Sequence, residues 1–495
     1  VNRYLIKIAK AQAKVVAKST KDSDDRPHVA DFQEKLDKND GVLLHWSTGG
    51  GKTFMFLDSA SKAQAKNKDG RVLIVAPASL TTNIDKEIAK HNIKIDRDRL
   101  DVYSYEKATK IAPKLKKNKY IMAIADEAHK LRNASTQRSQ ALSEIISGAD
   151  KRILATATAA FNHGADISPL VNMAYGGKVL PEDRKEFEKK FVGTMKLKRS
   201  FKDFVLNNPA EEVEILKGRG ELGALFKNHV SYYDSTEDPA AKDKFPTVTE
   251  TTIETEMDPE QARMYKFMEG QIPFWLRMKI RNNLPLDKQE KSQLNSFSTG
   301  VRQVSNSHRH LHQDPDSVEY TPKIKKAVAS LKSKMSADKN FRGLVYSNYL
   351  DAGVHEYSKK LTEEGIDHVT FTGKLSKEEK DQAVKDYNSG KKKVLLISSS
   401  GAEGLDLRGT KLIQLLEPHF HGNRGKQVIG RGARYESHAH LPKEERVVEA
   451  EHYLSTQPKS LYGHAPTSID TYLHGMSDNK SKIFDQIKQV MKESN

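Results

Sequence analysis

Apolar residues in this chain gather into short runs separated by polar, helix-forming stretches, and the alternation is regular in two places. In the first, "GVLLHW" (41–46), "RVLIVAP" (71–77), "YIMAIADEAH" (120–129) and "RILATAT" (152–158) read as strands, each followed by a loop and a helix-like stretch. In the second, "RGLVYSN" (342–348), "HVTFTG" (368–373), "KVLLISSS" (393–400) and "KLIQLLEP" (411–418) repeat the rhythm. Strands alternating with helices predict a parallel sheet wrapped on both faces, so the expected fold is α/β with two parallel-sheet lobes. Between them, from about Ala174 to Pro322, lies a stretch rich in Lys, Glu, Gln and Asn that is too long for a structureless loop. Helical insertions are expected there, such as "PEDRKEFEKKFV" (181–192) and "DPEQARMYKFMEGQIPFWLRMKI" (258–280). The expected division is a basic N-terminal helix at 1–25, a first lobe at 26–173, helical protrusions at 174–321, a second lobe at 322–455 and a helical tail at 456–495.

Composition narrows the partners. Lysine plus arginine (82) exceed aspartate plus glutamate (66), leaving +16 in clusters such as "KLKKNK", "MKLKR" and "GKKK". Such a balance suits a polyanion, most simply nucleic acid. Cysteine is absent, which removes disulfides, thiolate chemistry and the common zinc modules. No apolar run reaches the roughly 18–20 residues of a membrane span, and the N-terminus lacks a signal-peptide core, so a cytoplasmic protein without a membrane partner is expected.

The stretch "LLHWSTGGGKTF" changes the picture most. It fits the phosphate-loop pattern at Gly51, Lys52 and Thr53, while Trp46 occupies the first glycine position. A strand before it and a helix after it put loop N–H groups and the positive helix end where a phosphate would sit, with Thr48, Gly49 and Gly50 completing the cradle. Lys52 would reach the β- and γ-phosphates of ATP, and the Thr53 hydroxyl would ligate Mg²⁺. Asp126 and Glu127 follow another apolar strand, at the edge where open parallel sheets carry their chemistry. Asp126 can share the metal with Thr53, and Glu127 can orient or deprotonate the attacking water. Arg431 and Arg434, three apart, share one face of an expected helix and could reach a γ-phosphate held by the other lobe.

In order from about Arg26 to Lys482, the motifs resemble those of superfamily 2 helicase-like ATPases of the DEAH-box kind, closest to the Swi/Snf-type DNA translocases. The resemblance is carried by "DEAHKLRN", "VYSYEKA", "RILATATAAFNH", "MDPEQARMY", "VRQVSNS", "LVYSNY", "FTGKLSKEEKDQAVKDYNSG", "VLLISSSGAEGLDLRGTKLIQLLEP" and "QVIGRGAR". It implies two RecA-like lobes and ATP hydrolysis that drives movement along nucleic acid. It further implies that Gln33 reads adenine with Phe32 as a stacking neighbour, and that Gly404, Asp406 and Gln427 border the nucleotide. His129, Thr156 and Thr158 would couple the ATP site to the nucleic-acid side. Phosphates of the polymer would meet Pro77, Ser79 and Leu80, Ser104 and Tyr105, Thr372 and Gly373, and Ser398 and Ser399, largely through backbone amides and short hydroxyls.

Departures from the family pattern point to a divergent viral, phage or bacterial member. Ala157 and Ala159 alter a T-G-T-P run, Asp406 stands where asparagine is favoured, and "PHFHGNRGKQ" replaces a tryptophan-containing segment. The expected activity is translocation on duplex DNA by a monomer, since one chain carries both halves of an ATP site. A strand-separating DNA or RNA helicase, or a clamp with little turnover, are the other readings. Histidines at 308, 310 and 312, and at 419 and 421, alternate as metal ligands on an extended chain would, but no cysteine or clear carboxylate completes a site. They read as surface or phosphate-facing residues, and Trp46 as core.

Overall fold

The computed structural model describes residues 26–47, 50–157, 163–196, 212–284, 286, 288–399, 405–419, 423–459 and 465–495. The expected N-terminal helix lies outside them. The chain divides into two compact units, Val1–Ser235 with Ser481–Asn495, and Thr236–Lys480. The division falls inside the stretch that the sequence reads as helical protrusions. No helix among the described residues is long and apolar enough to cross a membrane.

The first unit holds a six-stranded parallel sheet. Its strands are β1 (Gly41–Trp46), β2 (Arg71–Ala76), β3 (Leu100–Ser104), β4 (Tyr120–Asp126), β5 (Lys151–Thr156) and, after the hairpin of β6 (Val192–Lys196) and β7 (Glu212–Leu216), β8 (Val230–Tyr233). Their order is β3-β2-β4-β5-β1-β8. Helices cover both faces, so β1 is buried along its whole length and its apolar run is explained. Register aligns His45 with Thr156 and Asp126 with Ala155, bringing the C-terminal ends of β1, β4 and β5 level.

The second unit repeats the plan with β9 (Thr247–Glu256), β10 (Gly343–Ser347), β11 (His368–Phe371), β12 (Val394–Ser398), β13 (Leu412–Leu415) and β14 (Val447–Thr456), ordered β11-β12-β10-β13-β14-β9 and parallel throughout. Strands β9 and β14 pair over ten residues, although neither carries a simple apolar run. β9, "TVTETTIETE", is almost wholly exposed at the sheet edge, where threonine supplies strand propensity and glutamate deters further pairing. The protrusion expected as one helical run is two helices, Pro259–Glu269 and Phe274–Arg281, because Gly270 and Pro273 interrupt it.

A buried polar network ties the strand ends of this unit together. Lys323, fully buried, donates to Asp470 Oδ2 at 2.6 Å, to Leu416 O at 2.9 Å and to Asn306 Oδ1 at 3.0 Å, which uses all three of its protons. Asn306 in turn donates to the buried Glu417, which also accepts from the Ser347 hydroxyl and the Asn348 amide. Removing one member leaves a buried charge uncompensated. Asp470→Ala is therefore expected to destabilise the second unit by about 3–5 kcal/mol. Urea unfolding followed by circular dichroism would read this, with a Lys323→Met/Asp470→Leu double variant recovering most of the loss.

Candidate functional site

Strand β1 delivers the chain into the glycine loop. Trp46, fully buried, anchors it by donating from Nε1 to Ser231 Oγ at 3.1 Å, as expected of a core residue. Gly51 has φ of 84°, a conformation that favours glycine, and a Cβ there would lie 3.2 Å from Arg26 Nη2. The helix Lys52–Lys66 begins with no side-chain cap, so its first-turn amides are open to an anion. Lys52 Nζ curls over the loop, donating to Trp46 O at 2.8 Å and Ser47 O at 3.1 Å. Thr53 is half-buried in the first helical turn. Thr48 and Gly49 lie outside the described residues.

Around this loop the structure adds residues the sequence did not single out. His28 Nε2 lies 3.3 Å from Gly50 O, and its ring stacks on Tyr233 at 3.6 Å between centroids. Arg26 caps the helix Pro27–Lys38 and His28 lies in its first turn, and their only sequence signal is their position before the residues expected to read adenine. On that helix Gln33 is half-buried, while Phe32 is fully buried, edge-on to Trp46. Phe32 thus has no face to offer a base, because the helix turns it into the core.

Asp126 ends β4, buried, and its Oδ1 accepts the Glu127 N–H at 2.9 Å. Burial, then the neighbouring charge of Glu127, pushes its carboxyl up to about 7, while Lys52 acts in the opposite direction. A divalent cation beside it would relieve the same unfavourable charge burial by displacing the proton, so a hydroxyl and carboxylate pair of Thr53 and Asp126 is chemically suited to a hard cation. Glu127 takes a left-handed backbone with φ of 52°, rare outside glycine and costing about 1 kcal/mol. Beyond it, His129 Nδ1 lies 3.3 Å from Glu127 Oε2 and 3.3 Å from Thr156 Oγ1. Glu127 Oε2 and Thr156 Oγ1 thus meet at one ring nitrogen, His129 Nδ1, between the ends of β4 and β5. Thr158 lies outside the described residues.

In the second unit the helix Asn423–Gly432 carries Gln427 and Arg431. It stops before Arg434, so the two arginines do not share a helix face. Arg434 instead sits in the following turn, its N–H donating to Ser437 Oγ at 3.0 Å and its guanidinium 3.7 Å from Asp406. Gly404 lies outside the described residues. Arg424, which the sequence reading passed over, donates to Tyr346 Oη at 3.2 Å and to Ser399 O, fixing the helix start to the end of β12.

The residues expected to meet a polymer's phosphates differ in what they can offer. Tyr105 is fully buried and its hydroxyl donates to Asp126 O at 2.8 Å, so it supports the carboxylate strand end and has no side chain for a phosphate. Ser104 accepts from Lys107 N–H at 3.2 Å, capping the short helix Tyr105–Lys110. Pro77 is buried at the start of the helix Ala78–Lys90, Leu80 packs half-buried, and the Ser79 side chain is outside the description. Thr372 and Ser398 are buried, Gly373 is exposed, and Ser399 is half-buried.

Three family profiles match the chain: an SNF2-related domain at 98–313, a helicase conserved C-terminal domain at 323–436, and the res subunit of type III restriction enzymes at 5–161. A protein of Acanthamoeba polyphaga mimivirus, L538, named as an ATP-dependent RNA helicase, is 30% identical over 471 residues, covering 92% of this chain and 94% of the relative. The termination factor NPH-I homolog of African swine fever virus is 23% identical over 560 residues, covering 92% of this chain and 76% of that protein. Among solved structures, the Sulfolobus solfataricus SWI2/SNF2 ATPase core in complex with dsDNA aligns with 18% identity and a TM-score of 0.36, covering 93% of this chain and 94% of that one.

The raised proton affinity of Asp126 gives a pH signature. A carboxyl near 7 in the folded state, against an ordinary 3.8, stabilises fully below the ordinary value and loses that contribution as pH rises through 7. In a chelating buffer, Asp126→Asn should therefore have a higher urea midpoint than wild type at pH 8, with a smaller difference at pH 5. Added magnesium should raise the midpoint of wild type at pH 8 and leave that of the variant unchanged.

Proposed function

This chain belongs to the Swi/Snf-like superfamily 2 helicase ATPases and is a nucleic-acid-dependent ATPase, and from that footing we propose that it spends ATP to move along duplex DNA. The observation that carries this reading is the approach of both Glu127 and Thr156 to His129 Nδ1, at the ends of neighbouring strands. A shared nitrogen supports coupling, because a change at Glu127 during hydrolysis alters the partner available to His129.

In the proposed mechanism Lys52 and the loop amides would hold the β- and γ-phosphates, and Thr53 and Asp126 would hold Mg²⁺. The cation would neutralise charge developing between those phosphates. Glu127 accepts the proton of the attacking water, and Arg431 and Arg434 stabilise charge on the γ-phosphate. Backbone amides and small side chains at the strand ends contact the polymer's phosphates, which carry no sequence information, so each step resembles the last. A second reading, movement on RNA, is favoured by the name of the mimivirus relative.

Steady-state hydrolysis without nucleic acid and with duplex DNA, single-stranded DNA or RNA separates the readings, with Lys52→Ala as the blank. Duplex DNA is expected to stimulate most and to support displacement of a triplex-forming strand. Stimulation by single strands or RNA alone would overturn duplex translocation. Lys52→Ala and Glu127→Gln should each lower kcat by roughly 100-fold or more while nucleic-acid binding persists in a filter assay. His129→Ala should depress the stimulated rate more than the basal one.

A further inference from the structure

The histidine run at 308–312 does not stay extended, and its folding gathers donors that the proposed ATP chemistry leaves unused. After the helix Thr299–Asn306 the chain makes a 3₁₀ turn over Arg309–Leu311, closed by the Leu311 N–H to His308 O and the His312 N–H to Arg309 O, both at 3.0 Å. The turn brings His312 Nε2 to 3.1 Å from His308 Nδ1. Glu260, in the first turn of the helix Pro259–Glu269, sets a carboxylate oxygen 4.0 Å from His312 Nε2. One donor atom from each of the three residues lies within 4.8 Å of the others. His310, between the two histidines in sequence, is not part of the group.

We propose that Glu260, His308 and His312 bind one divalent transition-metal cation, zinc or a metal of the same ligand preference. Two imidazoles and a carboxylate are a donor set that zinc accepts, with a fourth position left to water. Ligands about 2.0–2.2 Å from a tetrahedral ion lie about 3.3 Å from one another. The two histidine nitrogens already meet that spacing, and the remaining approach falls to Glu260, which is half exposed and can move.

The rest of the group is held in place. His308 is 1% exposed, so its ring is held by the packing around it. Next to it Arg309, itself buried, pairs with Glu356 at 3.2 Å and lies 3.8 Å over the Tyr320 ring. Beside Glu260, the buried Gln261 donates to Val304 O at 2.8 Å and Ser305 O at 3.2 Å, fixing its helix against the one that leads into the histidines. A bound cation would therefore cross-link the helix Pro259–Glu269 to the turn that follows the helix Thr299–Asn306, two elements whose spacing is already set. The carboxylate that completes these histidines lies 48 residues upstream of His308 and is brought in by that helix pairing.

The test titrates metal-stripped, untagged full-length protein with zinc chloride in a calorimeter. One tight site is expected in wild type, and in His355→Ala, which removes an exposed histidine elsewhere. Glu260→Gln and His312→Ala alter partly exposed side chains, so both should keep the wild-type circular dichroism spectrum while weakening zinc binding by more than about 100-fold, beyond the losses typical of outer-shell changes. Cobalt(II) should give the intense visible bands of low coordination number in wild type and lose them in both variants. Absence of a tight site in wild type, or its survival in either variant, would overturn the assignment.

Discussion

Burial of β1, β4 and β5 on both faces is the constraint from which the first unit's chemistry follows. Strands without a solvent face have no tolerance for slipping, because a shift of one residue exchanges every side chain between two packed layers. The register is therefore fixed, and with it the level at which each strand ends. Lys52, Asp126 and Thr156 owe their common edge to apolar residues that take no part in chemistry. The same packing forces Asp126 into a poorly solvated position, an unfavourable arrangement that only a rigid surround sustains.

The second unit fixes its strand ends by a different means. Charged and polar groups meet in its interior, with Lys323 and Asp470 fully buried and Glu417, Asn306 and Ser347 bonded around them. Apolar packing of similar volume would give comparable stability, but it would not dictate which helix meets which strand end. Directional bonds do, and here they join β10, β13, the helix Thr299–Asn306 and the start of the C-terminal helix.

Legibility in the sequence followed burial. The eight strands read from apolar runs are all present, and seven of them are buried along nearly their whole length, the edge strand β11 being half-buried. β9 was missed because its threonines and glutamates suit an exposed edge, and β14 because its apolar positions are interleaved with polar ones. At the site, the loop and the carboxylate pair were visible because their spacing is local. Phe32 and Tyr105 turn their rings into the core, which sequence cannot show because it gives a residue's type and not the direction it faces. Arg434 was put on a helix that ends two residues earlier, an outcome decided by the turn through Ser437. Arg26 and His28 gave no pattern of their own, and Glu260 could be joined to the histidines only through the pairing of two helices.

The edge strand β9 has an effect on the electrical shape of the molecule. Glu250, Glu254 and Glu256 fall at even positions, so they project from one side of the strand and are exposed. They set a row of carboxylates along this sheet edge, with His452 Nε2 2.9 Å from Glu250. Like charge along an edge opposes a phosphate backbone lying against it, so the glutamates that deter a further strand also disfavour a polyanion there.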